Sequence, residues 1–181
     1  MELRLRRGCP PDADKRLNKE KKVYELLDRL GISYEYVDHA PAMTMEDCEE
    51  IDRVLRATMC KNLFLCNRQK TRFYLLMIAH DKKFLTKELS AQIGSARLSF
   101  GSAEDMEALI DITPGSVSVL GLMYDKEEKV QLLIDEDLLC ADYFGAHPCV
   151  NTTSLRLSMK AVLQTFLPAV AHEPVTVRLG G

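Results

Sequence analysis

The sequence predicts one mixed α/β domain, a curved mixed β-sheet flanked by helices, and three observations carry that expectation. Apolar residues recur at helical spacing in some segments and alternate or cluster as strands do in others. The two kinds interleave without a strict βαβ rhythm or a repeat of about 20 to 50 residues. The 181 residues, 46% of them hydrophobic, suffice for one well-buried core and not for two. Residues 1–13, mixing arginines with Gly8, Pro10 and Pro11, read as a flexible basic arm, and 14–181 as the domain.

From Asp14 the pattern turns helical. Val23, Leu26, Leu27 and Leu30 share one face among Lys, Glu and Arg, and Gly31 stands where a helix C-cap belongs. "ISYEYV" alternates like a strand, and Pro41 ends it. Thr44-Met45-Glu46-Asp47 fits a capping box, and Met45, Cys48, Ile51, Leu55 and Met59 follow on one face, so a second helix is expected to about Ala57. "KNLFLCN" and "RFYLLMIA", separated by the turn-like "RQKT", read as a hairpin or as adjacent central strands. Thr86 to Ile93 is a short helix. Ser102-Ala103-Glu104-Asp105 is another capping box, opening a helix that ends before "DITPGS", a turn with Pro114 and Gly115. "KVQLLID" is a strong strand and "VNTTSLRLS" a more polar one; Met159, Val162, Leu163 and Phe166 form a last helix stopped by Pro168.

Several function classes drop out. No stretch reaches the roughly 18 to 20 apolar residues of a membrane span, and the N-terminus lacks the apolar core of a secretory signal, so no membrane partner is expected and the expected location is the cytoplasm. The six cysteines, with no C-x-x-C pair, suggest neither a disulfide framework nor a zinc ribbon. A net charge of −3 argues against sequence-indifferent binding along a DNA duplex, while leaving room for a local patch at one RNA end. Neither G-x-x-x-x-G-K-[ST] nor G-x-G-x-x-G occurs, and no cofactor is expected.

The segment "FGAHPCVNTTSL", Phe144 to Leu155, does not read as packing. Pro148 biases His147 toward an extended backbone, which projects its imidazole from a strand end as a proton shuttle, a hydrogen-bond donor or a metal ligand. His39, His80 and His172 show no ligand spacing with it, so no metal is assigned. Asn151, Thr152, Thr153 and Ser154 supply neutral donors and acceptors for a small polar ligand, or pair across an edge strand. Cys149, two residues from His147, raises a thiol-nucleophile reading against that of a buried filler. Lys61 stands at the mouth of the run Leu63, Phe64, Leu65, as a partly desolvated ammonium or as a plain strand-end lysine. Asn62 points to the opposite side of the pleat, so the two share a substrate only where the backbone twists. Gly101 and Gly115 mark close backbone approach or simple turns, and the loop "TPGSVSV" can present consecutive amides to an oxygen.

"CKNLFLCN", "LSFGSAEDM", "TPGSVSVLGLMYD" and "FGAHPCVNTTSLRLS" occur in the order and spacing of the freestanding prolyl-tRNA editing proteins of the YbaK/ProX superfamily, which this sequence resembles from about Asp14 to Phe166. The resemblance implies a deacylase acting on mischarged tRNA, typically alanyl-tRNA(Pro). It implies Lys61 as the essential catalytic residue and Asn62 as its neighbour in the site. It also implies a glycine loop of Gly115, Ser116, Val117 and following residues on the aminoacyl end, and a wall of His147, Pro148, Asn151 and Thr152. Gly101 falls in a further motif. Relatives often carry proline where this chain has Val119. The implied partners are an aminoacylated tRNA acceptor end, with Lys82, Lys83, Lys87 and Arg97 as a basic patch, and prolyl-tRNA synthetase. Two other readings stay open: a non-catalytic binding module for an aminoacyl-tRNA end or a synthetase, and a cysteine hydrolase built on Cys149 and His147.

Overall fold

The computed structural model describes residues 2–42 and 45–180. Its strands form two sheets where one curved sheet was expected. The first is antiparallel, in the order β1 (Arg6–Arg7), β2 (Tyr34–Asp38), β8 (Thr153–Ser158), β7 (Tyr143–Ala146). The second is mixed, in the order β5 (Leu98–Phe100), β3 (Cys60–Asn67), β4 (Phe73–Ala79), β6 (Val130–Asp135), β9 (Val175–Val177).

The sheets touch through one parallel bridge. Thr58, just before β3, donates its N–H to Tyr143 O (2.9 Å) and accepts from Gly145 N–H (3.1 Å). Beyond this bridge β3 and β7 diverge, and the fork between them is the structural origin of the site described below.

Strand alternation divides the core. Phe64 of β3, with Leu75 and Met77 of β4, faces the large cluster between the two sheets, joined by Leu27, Ile110, Leu155 and Phe166. Leu65, Leu76 and Ile78 face a second cluster on the far side with Leu89, Leu98 and Val177. Helix α1 (Asn18–Arg29) buries Val23, Tyr24, Leu26 and Leu27, as its apolar stripe predicts, and Gly31 follows it with φ +68°. Helix α2 (Met45–Leu55) covers Val37 with Ile51 and Leu55. The Thr44 capping box lies outside the described residues. Helices α3 (Thr86–Gln92) and α4 (Ala103–Ile110) fall where expected, and Ser102 caps α4 by accepting Asp105 N–H at 3.1 Å.

Three expectations change. Residues 1–13, read as a loose arm, contribute edge strand β1, paired Arg6 to Tyr36 and Arg7 to Glu35; the arginines find strand partners rather than solvent alone. The last helix is not stopped by Pro168. It runs as α5 (Met159–Ala161), one wide turn (Val162–Phe166) and α6 (Leu167–Ala169), with Pro168 directly after the wide turn and the helix ending one residue later. Lys82 is spent on Asp135 (2.8 Å) and Asp137 (2.6 Å) rather than on a free basic patch. No helix among the described residues is long and apolar enough to cross a membrane.

Candidate aminoacyl site

A cavity of about 220 Å³ occupies the fork between β3 and β7. Met59, Cys60 and Asn62 line one side, Gly145, Ala146 and His147 the other, and Gly115, Val117 and Ser154 close it. The close approach of the two strands requires Gly145: a Cβ there would meet the Met59 sulfur at 2.9 Å.

His147 is fixed by its neighbours. Its Nδ1 lies 3.0 Å from Thr153 O, an atom that can only accept, so Nδ1 carries the ring proton. In the neutral ring Nε2 is then the basic nitrogen, and it has no partner among the described residues. Burial holds the imidazole below its ordinary pKa, the nearby His39 pushes the same way, and the Thr153 carbonyl bond only partly opposes them. Ser154, also 3.4 Å from His147 Nδ1, meets His39 Nε2 at 2.9 Å, while His39 Nδ1 donates to Ala40 O (2.7 Å). The tautomer of His39 set by Ala40 makes Ser154 the donor to it.

A charged network backs this wall. Arg16 donates to Asp38 (2.8 Å), Glu20 (2.8 Å) and Thr153 Oγ1 (3.0 Å), and Tyr24 OH donates to Glu20 (2.7 Å). Thr153 thus joins Arg16 through its side chain to His147 through its carbonyl.

Asn62 leaves its Oδ1 buried and without a hydrogen bond among the described residues, and Asn151 does the same. Asn151 Nδ2 donates to Ala42 O (3.3 Å) and lies 3.6 Å from where a Gly115 side chain would begin. In the loop, Gly115 takes φ +93°, and the amides of Gly115 and Val117 have no partner among the described residues. Buried oxygens left unpaired are costly, and of these two Asn62 lines the cavity and Asn151 adjoins Gly115, so a polar ligand there could pair them.

Of the residues expected in the site, Asn62, Gly115, Val117 and His147 converge on the cavity, with Asn151 beside them. The others do different work. Ser116 is buried, with its amide (3.2 Å) and hydroxyl (2.9 Å) both donating to Thr113 O, which makes it a turn brace. Gly101 packs on Phe64, where a Cβ would come within 2.4 Å of the ring, and does not line the cavity. Pro148 is buried, and Thr152 contributes its carbonyl to His39 N–H (2.9 Å) with its side chain exposed. Lys61 lies on the other side of β3: alternation groups it with Leu63 and Leu65, and its Nζ donates to Lys82 O.

Val119, where the resemblance led to an expectation of proline, is buried and opens a 3-10 helix (Val119–Tyr124) whose preceding Ser118 accepts Leu120 N–H at 3.2 Å. That capped start and the burial of Val119 hold the loop end that proline would otherwise fix. The Cys149 thiol is pushed up to about 12, mainly by burial, and stays protonated at neutral pH, which removes the thiolate that a cysteine hydrolase needs. Among the described residues no three His, Cys, Asp or Glu side chains converge as a metal site. Sequence reasoning missed Met59, Cys60, Gly145 and Ala146, because their role comes from the strand fork and not from residue type.

Residues 39–165, which contain every group lining this cavity, match the aminoacyl-tRNA editing domain family. The chain belongs to that family. It is accordingly an aminoacyl-tRNA deacylase. Similar proteins include the prolyl-tRNA editing protein ProX of Acetoanaerobium sticklandii, 32% identical over 142 residues covering 78% of this chain and 87% of ProX. The prolyl-tRNA synthetase associated domain-containing protein 1 of Danio rerio is 27% identical over 86% of this chain and 84% of its own. The crystal structure of a candidate trans-editing enzyme for prolyl-tRNA synthetase superposes with TM-score 0.68 at 15% identity, over 92% of this chain and 99% of that one, which establishes the shared fold.

Proposed function

We propose that this protein is a trans-editing hydrolase for mischarged tRNA(Pro), with alanyl-tRNA(Pro) as its substrate and prolyl-tRNA synthetase as the source of the error. The similarity to ProX supports the prolyl-tRNA system. The observation that supports a small aminoacyl group is the cavity of about 220 Å³, below the roughly 300 Å³ at which ordinary ligand pockets begin; the choice of alanine within that class rests on the similarity to ProX and on the shape of the wall. Attraction discriminates one methylene by only about 1 to 3 kcal/mol, so sparing the larger prolyl ester falls to steric exclusion by Met59, Val117 and Ala146.

The aminoacyl group enters with its ammonium toward the unpaired Asn62 and Asn151 oxygens. A water attacks the ester carbonyl, His147 Nε2 takes its proton, and the amides of Gly115 and Val117 receive the developing oxyanion. Collapse breaks the carbonyl–ribose bond; the ribose oxygen recovers the proton from His147, and free amino acid and tRNA leave. A neutral, partly desolvated imidazole suits this, because it must start unprotonated. Lys61, implied as essential, we assign to the nucleotide side of the ester. Its ammonium sits one residue from Asn62, on the opposite side of a strand whose first residues are unpaired by β5.

The test is deacylation of alanyl-tRNA(Pro) and prolyl-tRNA(Pro) by the purified protein. Release of alanine with prolyl-tRNA spared is expected; equal hydrolysis of both, or of neither, rejects the sieve.

A further inference from the structure

The far side of β3 carries a second feature, separate from the cavity. A depression of about 580 Å³ is lined by Lys61, Leu63, Phe84, Leu85, Thr86, Lys87 and Phe100. Phe84 and Phe100 meet edge to face, centroids 6.1 Å apart at 68°. Phe100 is 64% exposed and Leu85 58%, large values for side chains of this kind. The chain leaves two of its few exposed large apolar residues on one spot, which marks a contact surface.

Charge decides what it contacts. Lys87 lines the depression, Lys83 precedes Phe84 and Arg97 precedes β5; all three are exposed and none has an acidic partner among the described residues. In a chain of net charge −3, where Lys82 is doubly paired nearby, unpaired cations around an open aromatic pair are not a generic surface. A nucleobase offers a flat face to stack on Phe100, and the phosphodiester that follows it offers the anion for Lys83 and Lys87. The surface and the site meet at the start of β3, where Lys61 on this side and Asn62 on the other are successive residues and β5 does not pair with the strand.

We infer that Phe84, Leu85 and Phe100, with Lys61 and Lys87 lining the same depression and Lys83 next to Phe84 in the chain, form a stacking platform for the unpaired 3′-terminal nucleotides of an RNA, holding the strand while its esterified end reaches the cavity around the start of β3. This rests on the editing reading but is tested apart from it, using RNA that carries no amino acid. The probe is a fluorescent single-stranded RNA ending in CCA, followed by anisotropy over a salt series. Loss of one stacked base should weaken binding about 5- to 100-fold in Phe100→Ala and leave Phe100→Tyr near wild type. Lys83→Ala with Lys87→Ala should lower the magnitude of the log–log salt slope by about 1.4, two phosphates' worth for a single strand. Thermal unfolding checks that each variant folds; at these exposed positions it should not move. Wild-type affinity and salt slope in Phe100→Ala, or no binding of this RNA by the wild type, overturns the platform. A failure of deacylation with RNA binding intact would instead reject the proposed chemistry and leave the platform standing.

Discussion

The two sides of the first turn of β3 are built from the same strand and have opposite characters. Cys60 and Asn62 face a small fork whose polar groups are neutral and whose free atoms are amide oxygens, backbone amides and one unprotonated imidazole nitrogen. Lys61 and Leu63 face an open surface of aromatic rings and ammonium groups. Alternation of side chains lets one short sequence, "CKNL", present neutral groups to the proposed reaction chamber and an ammonium to the proposed landing surface without mixing them. The difference matters because a lysine side chain fixed inside the fork would bury a charge at a cost of several kcal/mol and would repel the ammonium of an incoming aminoacyl group.

The sharpest way to break the comparison is at the neutral side. His147→Ala is expected to lower kcat for alanyl-tRNA(Pro) about 100-fold or more, the usual loss for a general base, with KM little changed. A KM effect alone would make His147 a wall and nothing more. Next in size is the charged network behind that wall. Arg16→Ala leaves buried Glu20 without its cation and Asp38 with only the more distant Arg6 (3.9 Å), and urea unfolding should show a loss of about 3 kcal/mol. A loss under about 1 kcal/mol would mean that solvent already screens the group.

pH separates the sides more gently. Because burial holds folded His147 below its ordinary value of about 6.5, the unfolded chain binds more protons in that window. Stability is therefore full above about pH 6.5 and declines as pH falls toward the depressed value. His39, also lowered by burial, adds in the same direction. The acid limb of kcat/KM should have its midpoint below about 6.5, and a midpoint above it contradicts the assigned base. The smallest expected effect is at Cys149: iodoacetamide at neutral pH should leave the native enzyme active, since a buried thiol raised to about 12 presents almost no thiolate.

Much of the fold was legible because its signals are local. The stripe of Val23, Leu26 and Leu27, the apolar runs of β3, β4 and β6, and the Ser102 cap each follow from a few adjacent residues. The three-residue strands β5 and β9 were not, because so short a strand is made by its partner. The split into two sheets depends on the Thr58–Phe144 bridge, a contact across more than eighty positions that no periodicity announces. In the site, His147 and Asn62 announced themselves by residue type and motif, and the opposition of Lys61 to Asn62 followed from the pleat. Ser116, expected on the aminoacyl group, faces Thr113 O in the turn, and a serine's chemistry is silent about which oxygen it finds. Gly145 was missed because its role is an absence of side chain against Met59.

The most direct test of the division between a neutral chamber and a cationic landing surface compares kcat and KM for alanyl-tRNA(Pro) in Asn62→Ala and Lys61→Ala. The account predicts that Asn62→Ala lowers kcat at saturating substrate, whereas Lys61→Ala raises KM and leaves kcat within a few-fold of wild type. A Lys61→Ala enzyme that binds its substrate normally but cannot turn it over, beside an active Asn62→Ala, would put the chemistry on the other face of the strand and contradict the account.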